Sequence, residues 1–464
     1  MTAFHELTAL ELGRLVADGE ASPPELVGHF AAREDHVGAF ITPTPERALD
    51  AAAALGSRPP SAGPLWGVPT AIKDLSLTAG VRTTFGSAVM RDFVPQTTDL
   101  VPTRLAEAGL ISLGKTNTPE FGSPCYTEPE VAPPAVTPWD TTRMAGGSSG
   151  GAAAAVAAGL VPVAAASDGG GSIRIPASCC GLFGFKPSRG RVSGAPWYGD
   201  PVGLSTGGPM ARTVRDSAAF LDVIEGRSVG DPWWAPPEAQ SFLSACERDP
   251  GQLRIARFCR PLIADSVVDP EVTAAWEDTS HLLEGLGHQV VDIEVPLSPE
   301  VVGVFETAWA VLTCLHPAPP QAEPWMRPLT RWLIERGRAV SAPEFGFALA
   351  QLRQHAARAL AELASYDAVL TPTLAVPPLL VGALRNDEDP AADFEAQKAF
   401  TPWTAAWNLT GMPAASLPLH HTASGLPIGM MLAGRPAEDA RLYALCAQVE
   451  AARPWAERRP PAWV

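Results

Sequence analysis

The stretch "GGSSGGAAAAVAAGLVPVAAASDGGGSIRIPASCCG", residues 146–181, sets two adjacent serines between glycine pairs, runs into alanines, and then turns on three glycines into a third serine. Glycines on both sides leave the backbone free to bend, so the hydroxyls of Ser148 and Ser149 can be brought close to other groups. The alanine run, stopped by Gly159, predicts a helix. Gly169, Gly170 and Gly171 can turn successive N–H groups inward, as an oxyanion hole requires, with Ser172 at the end of the turn. Taken alone, that second segment is a glycine-rich turn carrying an exposed serine.

Outward from this stretch, helix-like and strand-like segments alternate. "DLVPTRLAEAG" has helical spacing and stops at Gly109, "LISLGK" is a short buried-type strand, and "YDAVLTPT" is another strand running into a loop. Such alternation predicts an α/β sheet covered on both faces by helices. The N-terminal 60 or so residues are expected to be helical, beginning with the amphipathic spacing of "MTAFHELTALELGRLVADGEASPPELV". Two segments, near 228–250 and 383–398, are rich in loop formers or acidic residues and are expected as surface connections or lids.

The composition narrows the function. The chain has 464 residues, 46% hydrophobic and 18% charged, which suits a large globular core. With 34 basic and 50 acidic residues the formal charge is −16, so a nucleic-acid footprint is missing and an anionic membrane surface would repel the average face. Seven scattered cysteines without metal-type spacing are expected to be reduced, in the cytoplasm. Neither a secretory leader nor a membrane-spanning run is expected; the most apolar window, about 152–166, falls short of a bilayer.

Two pattern matches are set aside. "GLISLGKT", residues 109–116, satisfies a phosphate-loop expression, but a helix precedes it and its middle is an apolar strand, the reverse of the strand, loop and helix that phosphate binding needs. Gly146 to Gly150 satisfies GxSxG, yet the polar "TPWDTTRMA" before it is no strand. A triad histidine would have to come from His281, His288, His316, His355, His420 or His421, none of which has distinguishing context.

A serine can be activated without histidine if a lysine is available to lose its proton. The chain contains four lysines, Lys73, Lys115, Lys186 and Lys398, against 30 arginines. Arginine cannot be deprotonated near neutral pH, whereas a buried lysine can. Lys73 closes the apolar strand-like "GVPTAIKD", which would put its amine at the edge of a core; base and salt-bridge partner of Asp74 are equally open readings.

Lys73, the serine pair and Ser172 together resemble the amidase signature family. The family sets its nucleophilic serine in a GGS[IV]R segment 24 positions after the first serine of GGSSGG, as Ser172 follows Ser148 here. "GKTNTPEFG" (114–122), "GFKPSRGRVS" (184–193), "NLTGMPAASLPL" (408–419) and "GLPIGMMLAG" (425–434) are similar to the family as well, so the likeness runs over nearly the whole chain. It implies one α/β domain over 1–464, built on a large mixed, mostly parallel sheet flanked by helices on both faces. It implies Ser172 as acylated nucleophile, Ser148 as the bridging serine on a cis peptide bond, and Lys73 as general base. The N–H groups of Gly169, Gly170, Gly171 and Ser172 would form the oxyanion hole, while Ser149, Asp168 and Arg174 support the site, Ser149 by bonding Lys73. Thr137 and Asp140 depart from the "NPW" type segment of many members, which touches loop support only.

The implied activity is hydrolysis of a small-molecule amide, with no cofactor or metal; a homodimer is left open. "TNTPEFGSPCYTEPE" and "ARPWAERRPPAW" are closest in character to the branch of nylon-oligomer and other small-amide hydrolases. The competing readings are the glutamine-hydrolysing subunit of a tRNA amidotransferase and, resting on the rejected phosphate-loop match, a nucleotide-binding protein. Some of the thirteen tryptophans, and Cys314, could line a pocket, although core packing is the default for both residue types.

Overall fold

The computed structural model describes residues 3–197 and 199–463. Its eleven strands are β1 (Phe40–Pro43), β2 (Pro69–Lys73), β3 (Ile111–Thr116), β4 (Val163–Asp168), β5 (Phe183–Lys186), β6 (Thr206–Ala211), β7 (Arg254–Arg257), β8 (Gln289–Asp292), β9 (Ala368–Pro372), β10 (Ala414–His421) and β11 (Pro427–Gly434). They form one sheet in the order β1-β3-β2-β4-β6-β5-β10-β11-β9-β7-β8, with helices packed against it. The fold is α/β, as expected.

The sheet is mixed, but "mostly parallel" needs correcting. Parallel pairing holds for β3-β2-β4 and for β9-β7-β8, while β1-β3, β4-β6, β6-β5, β5-β10, β10-β11 and β11-β9 are antiparallel. The reason lies in the connections. Parallel neighbours need a long crossover, such as the connection through the helix Leu100–Glu107 between β2 and β3, whereas the short turn "TASGL" between β10 and β11 can join only antiparallel strands.

Local sequence explains most elements. The N-terminal segment forms two helices, Ala9–Ala17 and Pro23–Ala31, each opened by a capping box, Thr8 with Glu11 and Ser22 with Glu25. Gly19 in the left-handed region and Pro23 separate them, so the single amphipathic run expected from spacing is broken. The helix Leu100–Glu107 ends before Gly109 (φ 82°) and leads into β3. The phosphate-loop match therefore lies on a helix end and a strand. Its Lys115 is buried and donates to Asp74 Oδ1 (3.2 Å), Ser76 O (2.8 Å) and Thr83 Oγ1 (2.8 Å), which leaves it nothing to offer a phosphate.

The alanine helix, Gly150–Ala157, is buried along its whole length and packs on β1 to β4 and β6. Only small side chains permit this. It follows the serine pair directly and leads, through Gly159 (φ 77°), into β4 and the triple glycine. No helix among the described residues is long and apolar enough to cross a membrane.

Of the two expected excursions, residues 228–250 are mainly irregular, with one short helix, Phe242–Ala245. The second, near 383–398, is in its latter half a helix, Pro390–Phe400, capped by Asp389. Asp393, Gln397 and Phe400, at helical spacing, face inward on it.

Candidate active site

Lys73 is the last residue of β2, and the triple-glycine turn follows directly from β4, its parallel neighbour. The site thus opens at the carboxyl ends of adjacent parallel strands, where the chain leaves the sheet and side chains can converge. The peptide bond between Gly147 and Ser148 is cis. A side chain at Gly147 would place Cβ 2.7 Å from the backbone nitrogen of Tyr126, so only glycine fits.

Lys73 is 2% exposed and its Nζ donates to Ser148 Oγ (2.8 Å), Ser167 Oγ (3.1 Å) and Ser167 O (3.4 Å). It does not pair with Asp74, whose carboxylate accepts from Lys115, the Thr84 N–H (2.8 Å) and the Thr84 hydroxyl (2.6 Å). Burial lowers the Lys73 amine to about 7, against the opposing pull of Asp168. Burial disfavours the ammonium because neither serine supplies a compensating negative charge. An amine that is substantially neutral near pH 7, hydrogen-bonded to a hydroxyl, can take that hydroxyl's proton.

Ser148 (2% exposed) and Ser172 (9% exposed) line one cavity of about 410 Å³, together with Ser167 and Gly169. The backbone N–H of Ser149 donates to Ser172 O (3.2 Å), tying the two serine segments together. The expected bond from Ser149 to Lys73 is not made. Ser149 Oγ instead donates to Ser167 O (3.1 Å), so it reaches the lysine only through the residue that Lys73 also contacts.

Asp168 organises the glycine turn. Its carboxylate accepts from the N–H of Gly171 (2.8 Å) and Ile173 (3.1 Å), from Arg174 Nε and Nη2 (2.9 Å each), and from Asn408 Nδ2 (2.8 Å). Burial by itself would raise this carboxyl, but the Arg174 guanidinium and the hydrogen bonds hold it well below the usual carboxylate range. The pair is fully buried and remains charged because every lone pair facing the protein is met. The proposed hole loses one member here. The Gly171 N–H is spent on Asp168, leaving those of Gly169, Gly170 and Ser172 without an acceptor among the described residues. Gly171 itself has φ 132°, and a Cβ there would meet Thr404 Oγ1 at 2.4 Å.

Three residues escaped the sequence analysis. Ser167 is the one hydroxyl in β4, directly after three alanines, and that oddity was its signal. Asn408 opens the motif "NLTGMPAASLPL"; besides binding Asp168 it accepts from Arg174 Nη2 through Oδ1 (2.7 Å). Thr404 donates to Gly170 O (2.7 Å) and its carbonyl accepts from Arg174 Nη1 (2.8 Å), contacts across more than 200 residues of chain that no local pattern announces.

Among the histidines weighed, His316 lines the cavity, but its ring lies tilted beside Phe121 (ring centroids 5.1 Å apart) and makes no hydrogen bond to either serine. Cys314 does not line it; its thiol points at Ala310 O and Ile334 O between two helices, where burial raises it. Trp197, Trp233 and Trp309 line the cavity, whereas Trp403 and Trp407 are core residues. Thr137 Oγ1 donates to Cys179 O (2.8 Å) and Asp140 binds Thr142 and Arg143, both serving the loop before the serine pair.

Known proteins share this architecture. A family profile described as Amidase matches residues 25–443. A putative amidase of Synechocystis sp. is 35% identical over 97% of this chain and 89% of its own, and a 6-aminohexanoate-cyclic-dimer hydrolase of Paenarthrobacter ureafaciens is 34% identical over 96% and 94%. A solved 6-aminohexanoate cyclic dimer hydrolase, complexed with substrate, superposes with a TM-score of 0.91 at 30% identity, over 99% of this chain and 100% of that one. Family profile, whole-length similarity and superposition agree: the chain belongs to the amidase family and is a hydrolase acting on amides.

Proposed function

We propose that the protein cleaves a small carboxylic amide through an acyl-enzyme on Ser172. Neutral Lys73 accepts a proton from Ser148 Oγ as Ser148 takes one from Ser172 Oγ, and the Ser172 oxygen attacks the carbonyl carbon. The N–H groups of Gly169, Gly170 and Ser172 receive the developing oxyanion. As the C–N bond breaks, Ser148 passes its proton to the departing nitrogen and is reprotonated by the Lys73 ammonium. Water, deprotonated through the same pair of groups, then releases the acid and frees Ser172.

The observation that carries this reading is the 2.8 Å hydrogen bond from a buried Lys73, whose amine burial brings to about 7, to Ser148, beside a serine that borders the same cavity. The likeness to cyclic-dimer hydrolases favours small non-peptide amides. Free cysteines throughout the described residues suit a reducing, cytoplasmic setting.

A fluorophosphonate probe followed by peptide mapping tests the nucleophile, and turnover of aryl, alkyl and peptide amides beside glutamine tests the class. Label on Ser172, lost in Ser172→Ala, is expected; label elsewhere, or a Lys73→Ala enzyme with undiminished amidase rate, would dispose of the relay.

A further inference from the structure

Ser172 borders two cavities. Beside the 410 Å³ cleft lies a narrower slot of about 90 Å³, walled by the helices Val301–Thr313 and Pro390–Phe400 and by the segment around Leu262. Ser172 and Trp309 line both spaces. Ser148 lines the cleft and not the slot.

The slot is chemically apolar even where its lining residues are polar. Gln397 accepts from the Cys125 N–H through Oε1 (2.9 Å) and donates to Asp393 through Nε2 (2.6 Å), and Thr401 donates to Gln397 O (2.9 Å). Lys398 is paired with Glu306 (2.5 Å) and Glu395 (2.7 Å), and Glu306 also meets Arg336 (3.4 Å). No charge on this wall is left for a substrate to satisfy, and a charged group entering it would lose its hydration without a partner.

The two spaces are not interchangeable. The two substituents of an amide diverge from the carbonyl carbon, so with that carbon at Ser172, which borders both spaces, one can occupy the cleft while the other occupies the slot. The departing nitrogen must receive its proton from Ser148, which faces the cleft. We infer that the amine half of the substrate occupies the cleft, that the acyl half enters the slot, and that the protein therefore acts on amides of narrow, uncharged, unbranched acyl groups while tolerating varied amines. Trp309 is the specificity-determining partition. Its ring lies against the oxyanion turn, 3.7 to 3.8 Å from where side chains at Gly169 and Gly170 would begin, and stacks on Phe305, which lines the slot (centroids 5.8 Å, interplanar angle 17°).

This inference rests on the acyl-enzyme reading above, and the test separates them. On the wild-type enzyme, p-nitroanilides of acetyl, butanoyl, hexanoyl, 6-aminohexanoyl and pivaloyl groups are compared by kcat/KM, together with butanoyl amides of several amines. Butanoyl and hexanoyl are expected to exceed the ammonium-bearing and branched acyl groups at least tenfold, while changing the amine moves kcat/KM by less. Val302→Phe, which fills the slot from its helix wall, should lower the hexanoyl-to-acetyl ratio at least tenfold. Trp309→Ala should raise the pivaloyl-to-butanoyl ratio by a similar factor.

The reverse pattern in the wild type, strict in the amine and loose in the acyl group, overturns the assignment with no variant needed. So does a Val302→Phe enzyme whose selectivity shifts on the amine side. Failure to hydrolyse any amide or to label Ser172 would instead overturn the proposed function itself.

Discussion

The pH dependence of the first chemical step follows from the position of Lys73. Only the neutral amine can act as base, and burial brings it from its ordinary value of 10.5 to about 7. Activity should therefore fall as pH drops through 7. At pH 6 kcat/KM is expected near 10% of its plateau and at pH 5 near 1%, roughly tenfold per pH unit, with the plateau reached above about pH 8. A lysine left at its ordinary value would keep the slope rising to pH 10.

The assay is kcat/KM on a non-ionising anilide from pH 5 to 9, repeated as the inactivation rate by a fluorophosphonate, which reports the free enzyme. A second buried amine, Lys186, also lies at about 7 through burial and the nearby Arg174, and its one hydrogen bond among the described residues is to Pro187 O (2.8 Å). A folded Lys186→Met enzyme that retains the midpoint assigns the titration to Lys73. A profile flat from pH 5 to 8, or a midpoint that moves in Lys186→Met, would refute the reasoning.

The same burial has a thermodynamic side. Between about 7 and 10.5 the unfolded chain carries a proton on Lys73 that the folded chain has lost, so this residue makes stability rise with pH across that window. At pH 7 the lysine costs roughly 4 kcal/mol relative to an amine that never had to be desolvated. Lys73→Met should accordingly denature later at pH 7, by about 1 kcal/mol once three lost hydrogen bonds are allowed for, while losing amide turnover. Denaturant unfolding at pH 7 and pH 10 checks this: the variant's advantage should be gone at pH 10, where the lost hydrogen bonds outweigh the remaining cost of the lysine.

Ser148→Ala should lower amide turnover by about 10²- to 10⁴-fold, with a smaller loss on activated esters whose leaving group needs no proton, read by paired kcat measurements. Asp168→Asn leaves the Arg174 guanidinium buried without its counter-charge and should cost about 3 to 5 kcal/mol in denaturant unfolding. An effect below 1 kcal/mol would mean the turn is held by other contacts. Gly171→Ala drives a methyl against Thr404 Oγ1 and Ile175 in a left-handed conformation, so turnover should fall at least tenfold with fluorophosphonate labelling slowed in parallel.

How much of this was legible beforehand depends on how far each interaction reaches along the chain. The helix ending before Gly109, the strand "LISLGK" and the alanine helix are set by neighbours a few residues apart, through propensity, capping and glycine stops, and they stand where the sequence puts them. The shortage of lysine marked Lys73 as worth attention because no arginine can give up its proton. Local pattern could not choose between base and Asp74 partner, since that choice depends on where Lys115, Thr84 and Ser167 lie once β2 is paired to β3 and β4.

The remaining features exist only in the assembled molecule. The balance of parallel and antiparallel strands follows from which edges meet, not from the character of each strand. Asp168 takes the Gly171 N–H, Asn408 and Thr404 arrive from more than 200 residues away to lock the turn, and Trp309 divides the space around Ser172. The residue types capable of the chemistry are written in the chain, because spacing and composition are local properties. Their protonation, their partners and the shape of what they can bind are decided by burial and long-range packing, which come into being only when distant segments share one sheet.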